Sequence, residues 1–422
     1  MTRLPRPATR NLVDTLKILQ VISSLNPDGG GPVEGLIQQG LELTDAGNTV
    51  CTVALDAPTA KFDSRLVKSR VALLGPSTAK YAFSSRLKPW LMKNAANYDL
   101  IIIHGLWQYH GYCVSKVARA LGLRYVVFTH GMLDPWFARN YPFKHLKKWL
   151  YWPWGEFRVL AGARLVLFTA TDEVVLARES FWLYKARERM VGYGISQRPA
   201  NAANAKQMFL SAFPQLSNTR NLLFLSRIHP KKGCDMLIDT FSRISKTDEK
   251  LRLIFAGPDG VGWRTELTKQ AERLGVDKKV VFTGMLKDDM KWGAYDCAEV
   301  FVLPSHQENF GIVVAEALAS GLPVLTTFKV NIWREIVASG AGIVHEDTQQ
   351  GTDQLVSDWL MLSGDQKAAM RVQALACFEK NFEIKVVTQQ LIDALTLAAS
   401  DAVIEPTYSS STPWARKKIT TG

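Results

Sequence analysis

The run from residue 300 to 327, Val-Phe-Val-Leu-Pro-Ser-His-Gln-Glu-Asn-Phe-Gly-Ile-Val-Val-Ala-Glu-Ala-Leu-Ala-Ser-Gly-Leu-Pro-Val-Leu-Thr-Thr, constrains this chain more than any other. An apolar β-type segment, Val300 to Leu303, is halted by Pro304, and a polar turn follows that carries Glu308 and Phe310-Gly311. Apolar residues at helical spacing then run from Ile312 to Ala319 and stop at Ser320-Gly321, a typical helix end. Leu322 to Thr326 reads as a second buried strand. Strand, loop, helix, strand is the repeat of a parallel α/β sheet.

Two carboxylates punctuate this unit: Glu308 in the loop before the helix, and Glu316 among Val313, Val314, Ala315, Ala317 and Leu318 inside it. A carboxylate on such a face is costly to bury unless a polar partner meets it. The loop N–H groups and the helix N-terminus meanwhile favour an anion. Together they suit a ligand that carries both hydroxyls and phosphates, such as a nucleotide sugar.

At 422 residues, two domains of about 200 residues are expected. Apolar content of 47% with 21% charged residues describes a globular protein with a full core, and the net charge of +12 points to an anionic partner: nucleotide, nucleic acid or an anionic membrane surface. No apolar run approaches the roughly 18 to 20 residues that span a bilayer, and Met1-Thr-Arg-Leu-Pro-Arg-Pro7 leads into no signal-peptide core. Cys51, Cys113, Cys234, Cys297 and Cys377 are scattered, without a C-x-x-C pair, so they read as buried reduced thiols in a cytoplasmic protein.

Taken in order, residues 1 to 15 read as a loose arm and Lys17 to Ser23 as the first strand. A turn containing Gly29-Gly30-Gly31 and a helix follow, the opening of a nucleotide-type α/β domain, although nothing matches G-x-G-x-x-G. The glycines serve either a flexible turn or a close approach of backbone to ligand. Apolar strands end at His104 and at Thr129-His130-Gly131. Ligands of open α/β sheets sit beyond such strand ends, so both histidines are candidates, against the ordinary alternative of core histidines. Residues 135 to 158 interleave Trp, Tyr and Phe with Lys and Arg. That pattern fits either contact with anionic lipid headgroups or a solvated helix with aromatic core contacts.

The first domain is expected over 1–195, a Pro-, Ala- and Asn-rich linker over 196–219, and the second domain over 220–400, with its last helix returning to the first. A disordered Ser/Thr/Pro-rich tail is expected over 401–422. The second domain opens with a strand and Arg227-Ile-His-Pro-Lys-Lys232-Gly233. Arginine forks onto two phosphate oxygens and lysine supplies a compact charge, so this turn suits a diphosphate.

The motifs Ser226-Arg-Ile-His-Pro-Lys-Lys-Gly233, Gly257-Pro-Asp and Pro304-Ser-His-Gln-Glu308-Asn-Phe-Gly-x4-Glu316-Ala-x4-Gly321-x-Pro323-Val324 resemble those of retaining glycosyltransferases of the GT-B fold, family 4 (group 1) type. The resemblance covers residue 17 to about residue 395 and is strongest in the second half. It implies two Rossmann-like, doubly wound α/β domains facing a cleft. It also implies that Arg227 and Lys232 bind the donor diphosphate and stabilise the leaving group, that Glu316 accepts the ribose hydroxyls and that Glu308 contacts the donor sugar. Asn309, Phe310 and Gly311 would line sugar and phosphate with backbone, Gly30 and Gly31 would approach the phosphate, and His130 would stand near the reacting carbon. Neither metal nor cofactor is expected, and no Asp-x-Asp occurs. Tyr193-Gly194 stands where many relatives carry Asn-Gly.

The resulting expectation is a hexosyltransferase that takes a nucleotide-diphosphate sugar and a glycan acceptor, lipid-linked, in surface or exopolysaccharide synthesis. It would work in the cytoplasm, with the inner face of the plasma membrane as its anionic surface. Two alternatives are a nucleotide-sugar epimerase and a non-catalytic nucleotide-binding module. No nucleic-acid-reading motif is present, and His306-x-Glu308 lacks the P-C-x-x-C of a zinc deaminase.

Overall fold

The computed structural model describes residues 15–26, 30–135, 142–199 and 204–408. The chain divides into two compact units, residues 1–191 with 388–422, and 192–387.

The first unit carries β1 (Lys17–Ile22), β2 (Thr49–Ala54), β3 (Arg70–Leu73), β4 (Leu100–His104), β5 (Tyr125–Phe128), β6 (Leu165–Phe168), β7 (Lys185–Ala186) and β8 (Glu188–Met190). All but β7 join one sheet in the order β3-β2-β1-β4-β5-β6-β8, with parallel pairing throughout. The two faces bury alternate residues of the same strands. Leu19, Val21, Cys51, Val53, Ile101 and Ile103 enter one core with helix Tyr109–Leu121. Ile18, Val50, Leu100, Ile102, Leu165 and Leu167 enter the other, where the last helix, Ile384–Ala399, contributes Leu391, Ala394, Leu395 and Ala398. Burial on both faces is why Leu-Ile-Ile-Ile is continuously apolar, and each such side chain stabilises the fold by roughly 1.5–3 kcal/mol.

The second unit repeats the pattern with β9 (Arg220–Leu225), β10 (Leu251–Ala256), β11 (Val280–Gly284), β12 (Val300–Leu303), β13 (Val324–Thr327) and β14 (Gly342–His345). Their order, β11-β10-β9-β12-β13-β14, is again all parallel. In both sheets the order reverses between the first and fourth strands, and that switch point is where doubly wound sheets bind ligands.

Two sequence expectations differ from the structure. Residues 196–219 do not form a plain linker, because helix Ala205–Ala212 lies on helix Asp288–Cys297. They meet so closely that a Cβ on Gly293 would stand 2.2 Å from the Ala205 carbonyl oxygen. The beginning of the tail is also held in place. Arg124 pairs with Asp401, and Arg164 donates to the carbonyls of Ser400 and Ala402 at 2.9 and 2.7 Å. Arg187 reaches the carbonyl of Ile404 at 2.7 Å, and a fifteenth strand, Thr407–Tyr408, pairs antiparallel with β7. Basic residues on the strand ends satisfy carbonyls beyond the last helix, which composition does not reveal. The remaining tail, 409–422, the arm 1–14 and Gly29 lie outside the described residues.

Candidate active site

In the second unit the site grows from three strand ends. After β9 the chain passes through Arg227 and a tight turn to Gly233, whose φ is 68°. A Cβ there would stand 2.3 Å from the Pro304 carbonyl oxygen, so only glycine lets this turn lie against the loop after β12. Gly257, after β10, is similarly pressed: its Cβ would stand 1.9 Å from the Ser226 carbonyl oxygen. The two loops are then stitched together: His306 N–H donates to the Lys231 carbonyl at 2.9 Å, and the Ser305 hydroxyl donates to it at 3.2 Å.

This approach brings Lys232 and Glu308 together. The Lys232 ammonium is buried and donates to the Glu308 carboxylate, while Lys231 donates to the Gln307 side-chain oxygen. Glu308 is fixed by its backbone, whose N–H donates to the Lys329 carbonyl at 2.9 Å and whose carbonyl accepts from Asn331 N–H at 3.1 Å. Arg227 is exposed and forms no ion pair among the described residues. The positive field here is visible on His229, whose pKa is lowered by partial burial and by the charges of Arg227, Lys231 and Lys232. Opposite in effect, a hydrogen bond to Asp347 raises the pKa of His306.

Gly311, at φ 79°, turns the chain into helix Ile312–Ala319. By position, the N–H groups of Ile312 and Val313 lack intrahelical acceptors. Phe310 is not at the surface: it is 5% exposed and packs on Tyr193 at 5.2 Å and Phe382 at 5.5 Å between ring centroids. Tyr193, the departure from the motif, is thus the ring that covers Phe310. Asn309 accepts from the Asn331 amide at 3.3 Å.

Glu316 is met by partners the sequence did not reveal. One oxygen accepts from the Lys291 ammonium at 2.6 Å and the other from the Tyr295 hydroxyl at 3.0 Å. Burial and the Glu316 charge push the Tyr295 hydroxyl well above its ordinary pKa, which keeps it a donor. Lys291 and Tyr295 stand one turn apart on helix Asp288–Cys297. Their i, i+4 spacing was the available signal, but nothing in the sequence named the carboxylate they would face.

In the first unit, Gly30 and Gly31 begin helix Gly31–Asp45, with Gly30 exposed at φ 70°. They follow β1, whereas His104 closes β4 and His130 follows β5, so these loops share the carboxyl edge of one sheet. The two rings meet, His104 Nδ1 standing 3.1 Å from His130 Nε2. His130 adopts φ 50°, a backbone conformation uncommon outside glycine. Burial lowers its pKa to about 3. Among the described residues no group of three or more His, Cys, Asp and Glu could hold a metal ion.

The basic-aromatic stretch folds in part as helix Pro142–Tyr151. Leu146, Trp149 and Leu150 are exposed on it, together with Trp154, Trp182 and Leu183, and Trp149 stacks on Trp182 at 5.8 Å. Trp152 is fully buried. Residues 136–141 lie outside the described residues. No described helix is long and apolar enough to cross a membrane.

Residues 211–374 match the family model of glycosyl transferases group 1, and residues 30–194 match that of a glycosyl transferase 4-like domain. The chain is 27% identical over 268 residues to the mannosylfructose-phosphate synthase of Agrobacterium fabrum, covering 58% of this chain and 57% of that one. It is 30% identical over 158 residues to the alpha-monoglucosyldiacylglycerol synthase of Streptococcus pneumoniae, covering 36% and 35%. The match therefore spans about half or less of these relatives' length. The crystal structure of Anabaena Alr3699/HepE in complex with UDP-glucose has a TM-score of 0.69 at 17% identity, over 90% of this chain and 99% of that one. That likeness shows a shared fold, the GT-B pair of Rossmann-like domains.

Proposed function

The chain belongs to the group 1 glycosyltransferases, family 4 type, and on that premise we propose that it moves a hexose from a nucleotide-diphosphate sugar to a glycan acceptor. The observation that carries the reading is the buried Lys232 ammonium on the Glu308 carboxylate, beside an exposed Arg227 and the start of helix Ile312–Ala319. A diphosphate entering here meets a guanidinium, an ammonium and unpaired N–H groups, of which the ammonium and the N–H groups are held in place before it arrives.

In this reading Arg227 and Lys232 take the charge that builds on the departing diphosphate, which lowers the barrier because the charge is greatest in the transition state. Lys232 can exchange part of its bond to Glu308 for a phosphate oxygen, freeing Glu308 to accept from a sugar hydroxyl. Glu316, oriented by Lys291 and Tyr295, keeps lone pairs for the ribose hydroxyls, and the backbone of Asn309, Phe310 and Gly311 lines the ligand. The family resemblance gives Gly30 and Gly31 an approach to the phosphate and His130 a place near the reacting carbon. Anomeric retention through an oxocarbenium-like transition state follows the family resemblance. No metal is invoked, since basic side chains and a helix N-terminus take its place.

A uridine diphosphate sugar is the first donor to test, because Alr3699/HepE is described in complex with UDP-glucose. A lipid-linked acceptor, and with it surface-polysaccharide synthesis at the inner membrane face, is supported by the exposed Leu146, Trp149, Leu150 and Trp154 beside Lys147 and Arg158. Basic and aromatic groups together suit anionic headgroups. Thermal-shift titration with UDP-, GDP- and ADP-sugars should single out one donor by a rise in melting temperature, and transfer to a lipid-linked acceptor should follow with that donor. Neither stabilisation nor turnover with any common donor would defeat the proposal. Product formed from donor alone, with an epimerised sugar, would favour an epimerase.

A further inference from the structure

Glu173 lies on helix Thr171–Ser180, after β6, and is 3% exposed. Nothing in the sequence drew attention to it. One carboxylate oxygen accepts from the Thr129 hydroxyl at 2.5 Å and from Gly131 N–H at 2.6 Å. The other accepts from Thr169 N–H and from the Thr169 hydroxyl, both at 2.7 Å. Two of these four bonds grip the residues on either side of His130, whose left-handed backbone needs support from its surroundings. A carboxylate is the one side chain that accepts at both oxygens from four donors.

The His130 ring is constrained separately. His110 Nε2 stands 2.9 Å from the His104 carbonyl, which can only accept, so His110 carries its proton there. Between His104 Nδ1 and His130 Nε2 one proton is shared. His104 Nε2 is buried with no partner, and a proton there would be an orphaned buried donor, which folded proteins avoid. The proton of His104 therefore sits on Nδ1 and is donated to His130 Nε2. His130 is left with its own proton on Nδ1.

We propose that Glu173 and His104 are positioning residues of the transfer site, Glu173 fixing the backbone of His130 and His104 fixing its tautomer. The proposal rests on the reading that His130 serves the transfer step. It extends the site by two side chains that touch no substrate and act only through His130.

The test combines a spectroscopic and a kinetic measurement on the full chain. Long-range 1H–15N correlation of the imidazoles, on protein without ligand, should show His130 protonated at Nδ1. His104→Asn, whose amide nitrogen replaces Nδ1, should retain that state, and His104→Leu should lose it. His130 protonated at Nε2 in the unaltered chain would overturn the assignment to His104. In UDP-glucose turnover, with or without acceptor, Glu173→Gln places an NH2 group where two donors point. It should cut kcat per folded molecule by about a hundredfold, the effect of a misplaced reacting group, while UDP affinity by calorimetry stays within twofold. Thr129→Ser, which keeps the hydroxyl, should retain kcat. Adding Glu173→Gln to His130→Ala should cost nothing further, as expected for residues acting as one unit. Unchanged kcat in Glu173→Gln beside an inactive His130→Ala would overturn the Glu173 assignment alone. Full activity in His130→Ala would instead overturn the reading of His130.

Discussion

Glu156 provides a test of the structure that does not depend on function. Its carboxyl is fully buried and accepts from Trp107 N–H at 2.7 Å through one oxygen, while the other oxygen has no partner. Burial pushes its pKa from an ordinary 4.5 up to about 7, against the pull of the Trp107 N–H bond and the Lys148 charge. The folded state thus holds this proton more tightly than the unfolded state does. Stability is therefore full below the unfolded pKa and falls as pH rises from 4.5 to 7, remaining lower above that. At 1.36 kcal/mol per pH unit, the interval is worth about 3 kcal/mol. Glu156→Gln keeps an oxygen for Trp107 N–H and removes the titration. The cost of burying an unpaired amide is the same at every pH, so it shifts the difference curve without tilting it. Guanidinium unfolding of both proteins between pH 4.5 and 8, followed by tryptophan fluorescence, should show the variant gaining about 3 kcal/mol relative to the unaltered chain. Parallel stability curves would refute the burial argument.

Arg227→Ala should abolish turnover with no loss of melting temperature, because the side chain is exposed. Lys232→Ala should lose turnover and also about 1–3 kcal/mol of stability, since Glu308 loses its charged donor; a lower melting temperature for Arg227→Ala than for Lys232→Ala would contradict this. Lys291→Met removes one of the two donors to Glu316 and should weaken UDP binding roughly tenfold by calorimetry, about 1.4 kcal/mol. An unchanged dissociation constant would show that Glu316 does not need Lys291. Truncation after Ser400 removes acceptors for Arg124, Arg164 and Arg187 and should destabilise the first unit by about 2 kcal/mol or more in denaturant; identical midpoints would mean that the segment adds nothing. Leu150→Glu with Trp154→Glu should abolish sedimentation with anionic vesicles, and retained binding would remove the support for a lipid-facing surface.

Much of this protein is decided by local pattern. Four-residue apolar runs such as Leu-Ile-Ile-Ile, alternating with helical stretches, specify parallel sheets covered on both faces, because such strands have no polar side to expose. The turns Arg227 to Gly233 and Glu308 to Gly311 carry their own geometry, since a left-handed glycine and a halted strand are properties of a few neighbouring residues. Their chemistry was readable for that reason, as was the unusual Glu316 among valines and alanines.

What lies across the sheet was not. Lys291 and Tyr295 answer Glu316 from a different helix, and Glu173 answers Thr129 and Gly131 from 42 to 44 residues further along the chain. A carboxylate on an ordinary helix turn has no local mark that it will be buried against a distant loop. The beginning of the tail has the same lesson: its composition is that of a loose segment, and three arginines from other strand ends fix it. Local residues determine what each segment can become, whereas the partner of a buried charge depends on which segments the finished sheets set side by side.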